Sequence, residues 1–147
     1  MSSTTIPGAF RHARLGHRER VRLAVEILAA YRVVRRSLRS DRLPEVVAML
    51  RESPAQHAPR PLADPVADGE RLGHAVTRTL RLVPARTLCL VRSLVLLRLL
   101  ASRGVVGELV ISALPAQGST LDAHAWVELD GQPLLAPGPD GARLLVL

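Results

Sequence analysis

The sequence predicts an α+β fold, with helices first and a small antiparallel sheet last. Three observations predict it. Apolar residues recur at helical spacing up to Ser102. Beyond Gly104, β-branched residues gather in short runs bounded by turns. Between two of those runs stands Asp130–Gly131, a strong hairpin signal. Helical runs followed by strand runs point to segregated layers rather than to a parallel βαβ sheet.

The elements follow in order. Residues 1–16 read as a loose arm. A helix is expected over Glu19–Leu38, where Val21, Val25 and Leu28 form one stripe and Leu23, Ile27, Ala30 and Val34 lie beside it. Arg20, Arg35, Arg36 and Arg39 edge that face. Asp41 is a candidate cap for a second helix, Leu43–Arg51, whose Pro44 falls in the first turn, where a missing N–H does no harm. Residues 53–66 hold Pro54, Pro59, Pro61 and Pro65 and read as a linker. A third helix is expected over Asp68–Leu80, capped at Asp68, and a fourth from Thr87 to Ser102, closed by Arg103–Gly104. Strands are expected at Val105–Ala113, Ala123–Leu129, Leu134–Leu135 and Leu144–Leu147, with a polar loop at 115–120 and a turn at 137–141. The 87–102 helix is the most apolar and should cover one face of the sheet. The chain thus divides into a helical region with an arm and a Pro-rich linker, 1–66, and a compact core, 67–147.

Composition narrows the function. Of the 147 residues, 48% are hydrophobic, enough to build a core, but aromatics amount to one Trp, one Tyr and one Phe. Leu, Val, Ala and Ile must therefore do the packing. The formal charge is +7 and all 20 basic residues are Arg. They are scattered through the chain, with almost no aromatics to stack on bases. This reads as a solvated surface, compatible with an acidic protein or peptide partner, rather than as a nucleic-acid interface. A single Cys excludes an internal disulfide and a multi-cysteine metal site. No cofactor or metal is expected. Met1–Gly8 lacks the apolar core of a secretory signal. Leu88–Ala101 is interrupted by Arg92 and Arg98 and is shorter than the ~20 residues a bilayer span needs. A cytoplasmic protein without membrane contact is expected.

Two residues carry candidate chemistry. Cys89 falls two residues after Thr87, a plausible N-cap, so its thiol would lie in the first turn of a buried helix. Unpaired backbone N–H groups there favour a thiolate and can hold an oxyanion. The plainer reading is a small core residue on an apolar helix. His124 stands in Ala123–His124–Ala125–Trp126–Val127–Glu128, where strand alternation puts His124, Trp126 and Glu128 on one face. Two flanking alanines leave room around the ring. Taken alone, this is a strand histidine satisfied by a neighbour. Taken with Cys89, it is the base of a nucleophile–base pair.

The order of a Cys-bearing helix, a strand, a His-bearing strand and a further strand is that of the transglutaminase-like, papain-related cysteine hydrolases. Within them, Cys89-Leu-Val-Arg-Ser93, Ser102-Arg103-Gly104 and Glu108-Leu-Val-Ile111 resemble the Cys helix and following strand of the lasso-peptide leader peptidases. Ala123-His-Ala-Trp126-Val-Glu128-Leu-Asp130-Gly131 resembles their His strand and hairpin. The resemblance covers roughly residues 70–135. It implies a cysteine protease that cuts the leader from a ribosomally made precursor peptide. A separate leader-binding protein would present that precursor, and an ATP-dependent cyclase would act as a further partner. It puts the nucleophile on Cys89 and the base on His124.

The resemblance also implies an acid on the strand after the His, about a dozen residues on. With a three-residue hairpin loop at 129–131, position 136 would oppose His124, and that position is Ala136. Asp130, at the hairpin tip, lies ~20 Å along the strand and is too far away. Asp140, Asp122, or a dyad oriented by a backbone group or water remain. The missing acid supports an alternative function, a catalytically impaired docking or scaffold subunit of the same maturation complex. A nucleic-acid binder ranks last.

Overall fold

The computed structural model describes residues 16–52, 62–83, 89–114, 122–135 and 142–147. The architecture is α+β: helices α1 (His17–Ser40), α2 (Leu43–Arg51), α3 (Pro65–Leu80) and α4 (Cys89–Ala101), then strands β1 (Glu108–Leu114), β2 (Asp122–Leu129), β3 (Gln132–Pro133) and β4 (Ala142–Val146). The sheet is antiparallel in the order β3-β2-β1-β4.

Helix α1 runs beyond the expected Glu19–Leu38 at both ends. The Glu19 carboxylate accepts the Gly16 N–H at 3.1 Å, which fastens the first turn. Helix α2 has its expected bounds, but its cap differs. Asp41 instead closes α1, donating its N–H to Ser37 O at 2.9 Å, and the Glu45 carboxylate accepts the Arg42 N–H at 3.2 Å. Helix α3 begins before the expected Asp68. A residue preceding Pro is held extended, so Asp64 takes the cap position, accepts the Ala67 N–H at 3.1 Å, and lets Pro65 start the helix. The expected boundary between 66 and 67 therefore falls in the first turn of α3.

Helix α4 is apolar nearly all round and lies in the middle of the molecule. Val91, Leu94 to Leu97, Leu99 and Leu100 are buried, in one cluster with Ile27 and Val34 of α1, Val46 and Leu50 of α2, Val76 and Leu80 of α3, and Leu109, Ala125 and Val127 of the sheet. Each such aliphatic side chain contributes about 1.5–3 kcal/mol on burial. As expected, this is the helix that covers the sheet. It ends in a Schellman motif: Gly104 has φ +75°, its N–H bonds to Ala101 O at 3.0 Å, and the Val105 N–H bonds to Leu100 O at 3.0 Å. That cap uses the backbone expected to open the first strand, so β1 starts at Glu108 rather than at Val105. Gly107 is the crossing point between α4 and the sheet. A Cβ there would lie 2.9 Å from Val127 and 3.2 Å from Leu100.

The β2–β3 hairpin turns at Asp130 (φ 50°) and Gly131 (φ 75°), the left-handed pair of a type I′ turn. Its pairs are Leu129↔Gln132 and Glu128↔Pro133, so the loop has two residues, not three. Continued, this register would set position 137 opposite His124, not 136. The ladder stops before that. The expected strand at Leu134–Leu135 is replaced by a departure from the sheet, after a last bond from Leu134 N–H to Val127 O at 2.8 Å. Helix α3 receives the departing chain, because Gly69 and Gly73 stand one turn apart and leave a groove. A Cβ on Gly73 would come within 2.5 Å of the Leu134 carbonyl oxygen, and one on Gly69 within 2.8 Å of the Leu134 side chain.

Candidate active site

The site is built where α4 begins against β2. Strand carbonyls alternate in direction, so those of residues 123, 125 and 127 point to the same edge of β2, the side on which β3 runs. Val127 O is taken by Leu134 N–H. Past that point β3 has left the sheet, and α4 serves the edge instead. Ser93 Oγ, fully buried, donates to Ala125 O at 3.1 Å. Cys89 Sγ lies 4.0 Å from Ala123 O, a long contact of the kind a weak S–H donor makes. The match is one of spacing. Four residues of helix rise about 6 Å and two residues of strand about 6.6 Å, so Cys89 and Ser93 step along α4 at the pace of Ala123 and Ala125 along β2.

This places the half-buried Cys89 thiol, in the first turn of α4, against the peptide unit that joins Ala123 to His124. The Cys89 thiol thus lies against the backbone one residue before His124, at one end of β2. Thr87, the expected cap, lies outside the described residues, as do Ala136 and Asp140. Asp122 opens β2, paired with Leu114.

His124 is half-buried and pairs across the ladder with Ser112, which in turn pairs with Arg143 of β4. Its ring stacks on that of Trp126, with centroids 6.0 Å apart and an interplanar angle of 27°. Trp126 and Glu128 form a clamp beneath it. Trp126 Nε1 donates to Glu128 Oε1 at 2.8 Å, and Arg143 donates to the two oxygens of the same carboxylate at 2.9 and 3.2 Å. The Arg143 guanidinium also lies 6.0 Å from the Trp126 ring centre. Glu128, only 4% exposed, is thereby fully engaged and supports the sheet. It stands four residues from His124, about 13 Å along the strand, with Trp126 between them. Sequence reasoning missed Arg143 and Ser93. Arg143 carried no local signal. Ser93 did, as a polar residue one turn beyond Cys89 on an otherwise apolar face.

Arginines fix the surrounding helices. Arg103 forms a two-pronged ion pair with Glu26 of α1, at 2.8 and 3.0 Å, beside the end of α4. Arg51 of α2 donates to Gly107 O at 2.7 Å. Among the described residues, no group of three or more His, Cys, Asp or Glu is placed to hold a metal. Among the same residues, no helix is long and apolar enough to cross a membrane.

The family model of the transglutaminase-like superfamily matches residues 21–144. The match takes in α1 and α2 as well as the Cys helix and the sheet. Neither the curated proteins nor the solved structures contain a significant match to the chain.

Proposed function

The chain belongs to the transglutaminase-like superfamily, and on that premise we propose that it is a cysteine peptidase that removes the leader from a ribosomally made lasso precursor peptide. The observation that carries the reading is the Cys89 thiol, in the first turn of α4, against the Ala123–His124 peptide. The superfamily includes cysteine peptidases, and the contact supports the reading by bringing the thiol to the backbone of the residue next to His124. The leader specificity rests on the resemblance of the Cys-helix and His-strand motifs.

In this reading the Cys89 thiolate attacks the scissile carbonyl carbon. Backbone N–H groups of the first turn of α4 hold the oxyanion. His124 delivers the proton to the leaving amine as the C–N bond breaks, leaving a thioester on Cys89. Water, deprotonated by His124, then hydrolyses the thioester and restores the thiol. Stacking on Trp126 restricts the imidazole, and Asp140 is the carboxylate proposed to orient it. A separate leader-binding protein would present the precursor, and an ATP-dependent cyclase would close the product.

The test is cleavage of a precursor peptide, in the presence of its leader-binding protein, by wild type, Cys89→Ala and His124→Ala, read by mass spectrometry. Cleavage by wild type and its loss in both variants are expected. Equal cleavage by all three sinks the catalytic pair. So does no cleavage by a wild type that holds the precursor, which would point to a docking subunit.

A further inference from the structure

The outward face of α1 is largely exposed. Its stripe opens with exposed Arg18 and then turns apolar: Val21, Val25 and Leu28 follow at helical spacing, are 51%, 61% and 38% exposed, and have exposed Arg22 at their edge. From the next turn it is basic, with Arg32, Arg36 and Arg39 exposed and Arg35 beside them. These four arginines and Tyr31 line an open depression of about 510 Å³. Arg35 lies 6.0 Å from the Tyr31 ring centre. Among the described residues, no carboxylate is paired with any of the four. By contrast, Arg51 and Arg103 are each committed to a named partner. Like charges three and four residues apart weaken a helix by a few tenths of a kcal/mol per pair. The favourable end of the helix dipole offsets part of that. An exposed apolar stripe running into cations that no described carboxylate pairs is the signature of a surface that something covers.

We infer that this face docks an amphipathic helical segment of a partner protein, with its apolar residues toward one end and its acids chiefly toward the other. From Arg18 to Arg39 the stripe spans about 32 Å, the length of some 21 helical residues. Charge decides between occupants. A second copy of the chain would bring the same arginines against these. Residues 1–15 contain Arg11 and Arg14 and no acid, so they do not complement the basic half. A nucleic acid would leave Val21, Val25 and Leu28 without a role, and among the described residues Tyr31 is the only aromatic one at the basic half. An acidic helix satisfies both halves, with apolar anchors in one and charge-assisted hydrogen bonds in the other. The inference does not depend on the proposed peptidase activity.

The test is panning of a displayed library of 21-residue helical peptides. The bait is the full chain carrying Cys89→Ala, so that binding is read without cleavage. The expected outcome is enrichment of sequences with apolar residues at i, i+4 and i+7 and with Asp or Glu on the same face at one end. A synthetic peptide of that consensus should bind in fluorescence anisotropy. Arg32→Ser with Arg36→Ser, and separately Val25→Ser, should each weaken it by about tenfold, the scale of a hot-spot loss. Thermal melts of these variants should match the parent, because the substituted side chains are exposed. His124→Ala should leave binding unchanged. The inference is overturned if no sequence is enriched, or if enriched peptides ignore the α1 substitutions. Equal binding of a scrambled acidic peptide, or tighter binding of a DNA oligonucleotide lost in the same variants, overturns it too. Loss of binding in His124→Ala would also refute it, since that places the peptides in the Cys89 site.

Discussion

Gly73→Ala is the sharpest test of how the hairpin leaves the sheet, because two contributions oppose each other in sign. Gly73 lies well inside α3, where replacing Gly by Ala ordinarily stabilises a helix by about 0.8–1.0 kcal/mol. Here the added Cβ would meet the Leu134 carbonyl oxygen at 2.5 Å and Leu135 at 3.0 Å. The first contact is with backbone, which cannot rotate away. Moving it disturbs the bond from Leu134 N–H to Val127 O. Overpacking costs about 1–3 kcal/mol, and a backbone atom that cannot rotate away puts this contact at about 2–3, so the net effect should be a destabilisation of about 1–2 kcal/mol. For a chain of this size that lowers the melting temperature by roughly 3–8 °C. Gly69→Ala is the internal control. Its Cβ meets only side-chain carbons of Leu134, at 2.8 and 3.1 Å, which a rotamer change can relieve. It should be close to neutral. Thermal and urea unfolding, followed by circular dichroism, would measure both. A Gly73→Ala protein more stable than wild type, or indistinguishable from Gly69→Ala, would refute the seating of residues 134–135 on α3.

Three further outcomes follow from the same structure. Ser93→Ala removes the hydroxyl that satisfies the Ala125 carbonyl and should cost about 1–3 kcal/mol, read as a lower urea midpoint at unchanged slope; an unchanged midpoint would show that the carbonyl has another donor. Arg143→Ala strips the buried Glu128 carboxylate of its cation. Because the Arg143 side chain is itself 56% exposed, the loss should be about 1–2 kcal/mol rather than the larger value of a fully buried pair, with a melting temperature equal to wild type counting against the clamp. Gly131→Ala meets nothing within 4 Å but must hold φ +75°, so it should cost about 1–2 kcal/mol through backbone strain alone. Full stability in that variant would exclude the type I′ turn.

The sequence made the site's two ends legible and hid what joins them. A long, nearly continuous apolar run located α4, whose residues face neighbours on every side, and Asp130–Gly131 located the hairpin because few other pairs accept two positive φ angles. Boundaries failed where backbone outside an element was committed to another one. Val105 is β-branched and reads as strand, yet its N–H closes the end of α4. Leu134 and Leu135 read as strand, yet the groove left by two glycines on a different helix draws them off the sheet. No local pattern carries that information, because it concerns residues about sixty positions apart in the chain. The departure is also what shapes the candidate site. Had β3 continued in register, its N–H groups would have reached the carbonyls of Ala125 and Ala123, and α4 could not have bonded there. The glycines of α3 free that edge of β2, Ser93 fills the first vacancy, and the second brings the Cys89 thiol to the peptide preceding His124. The one-residue difference in the hairpin loop matters less than this departure: in either register the position opposite His124 holds no acid and falls past the end of β3 at Pro133.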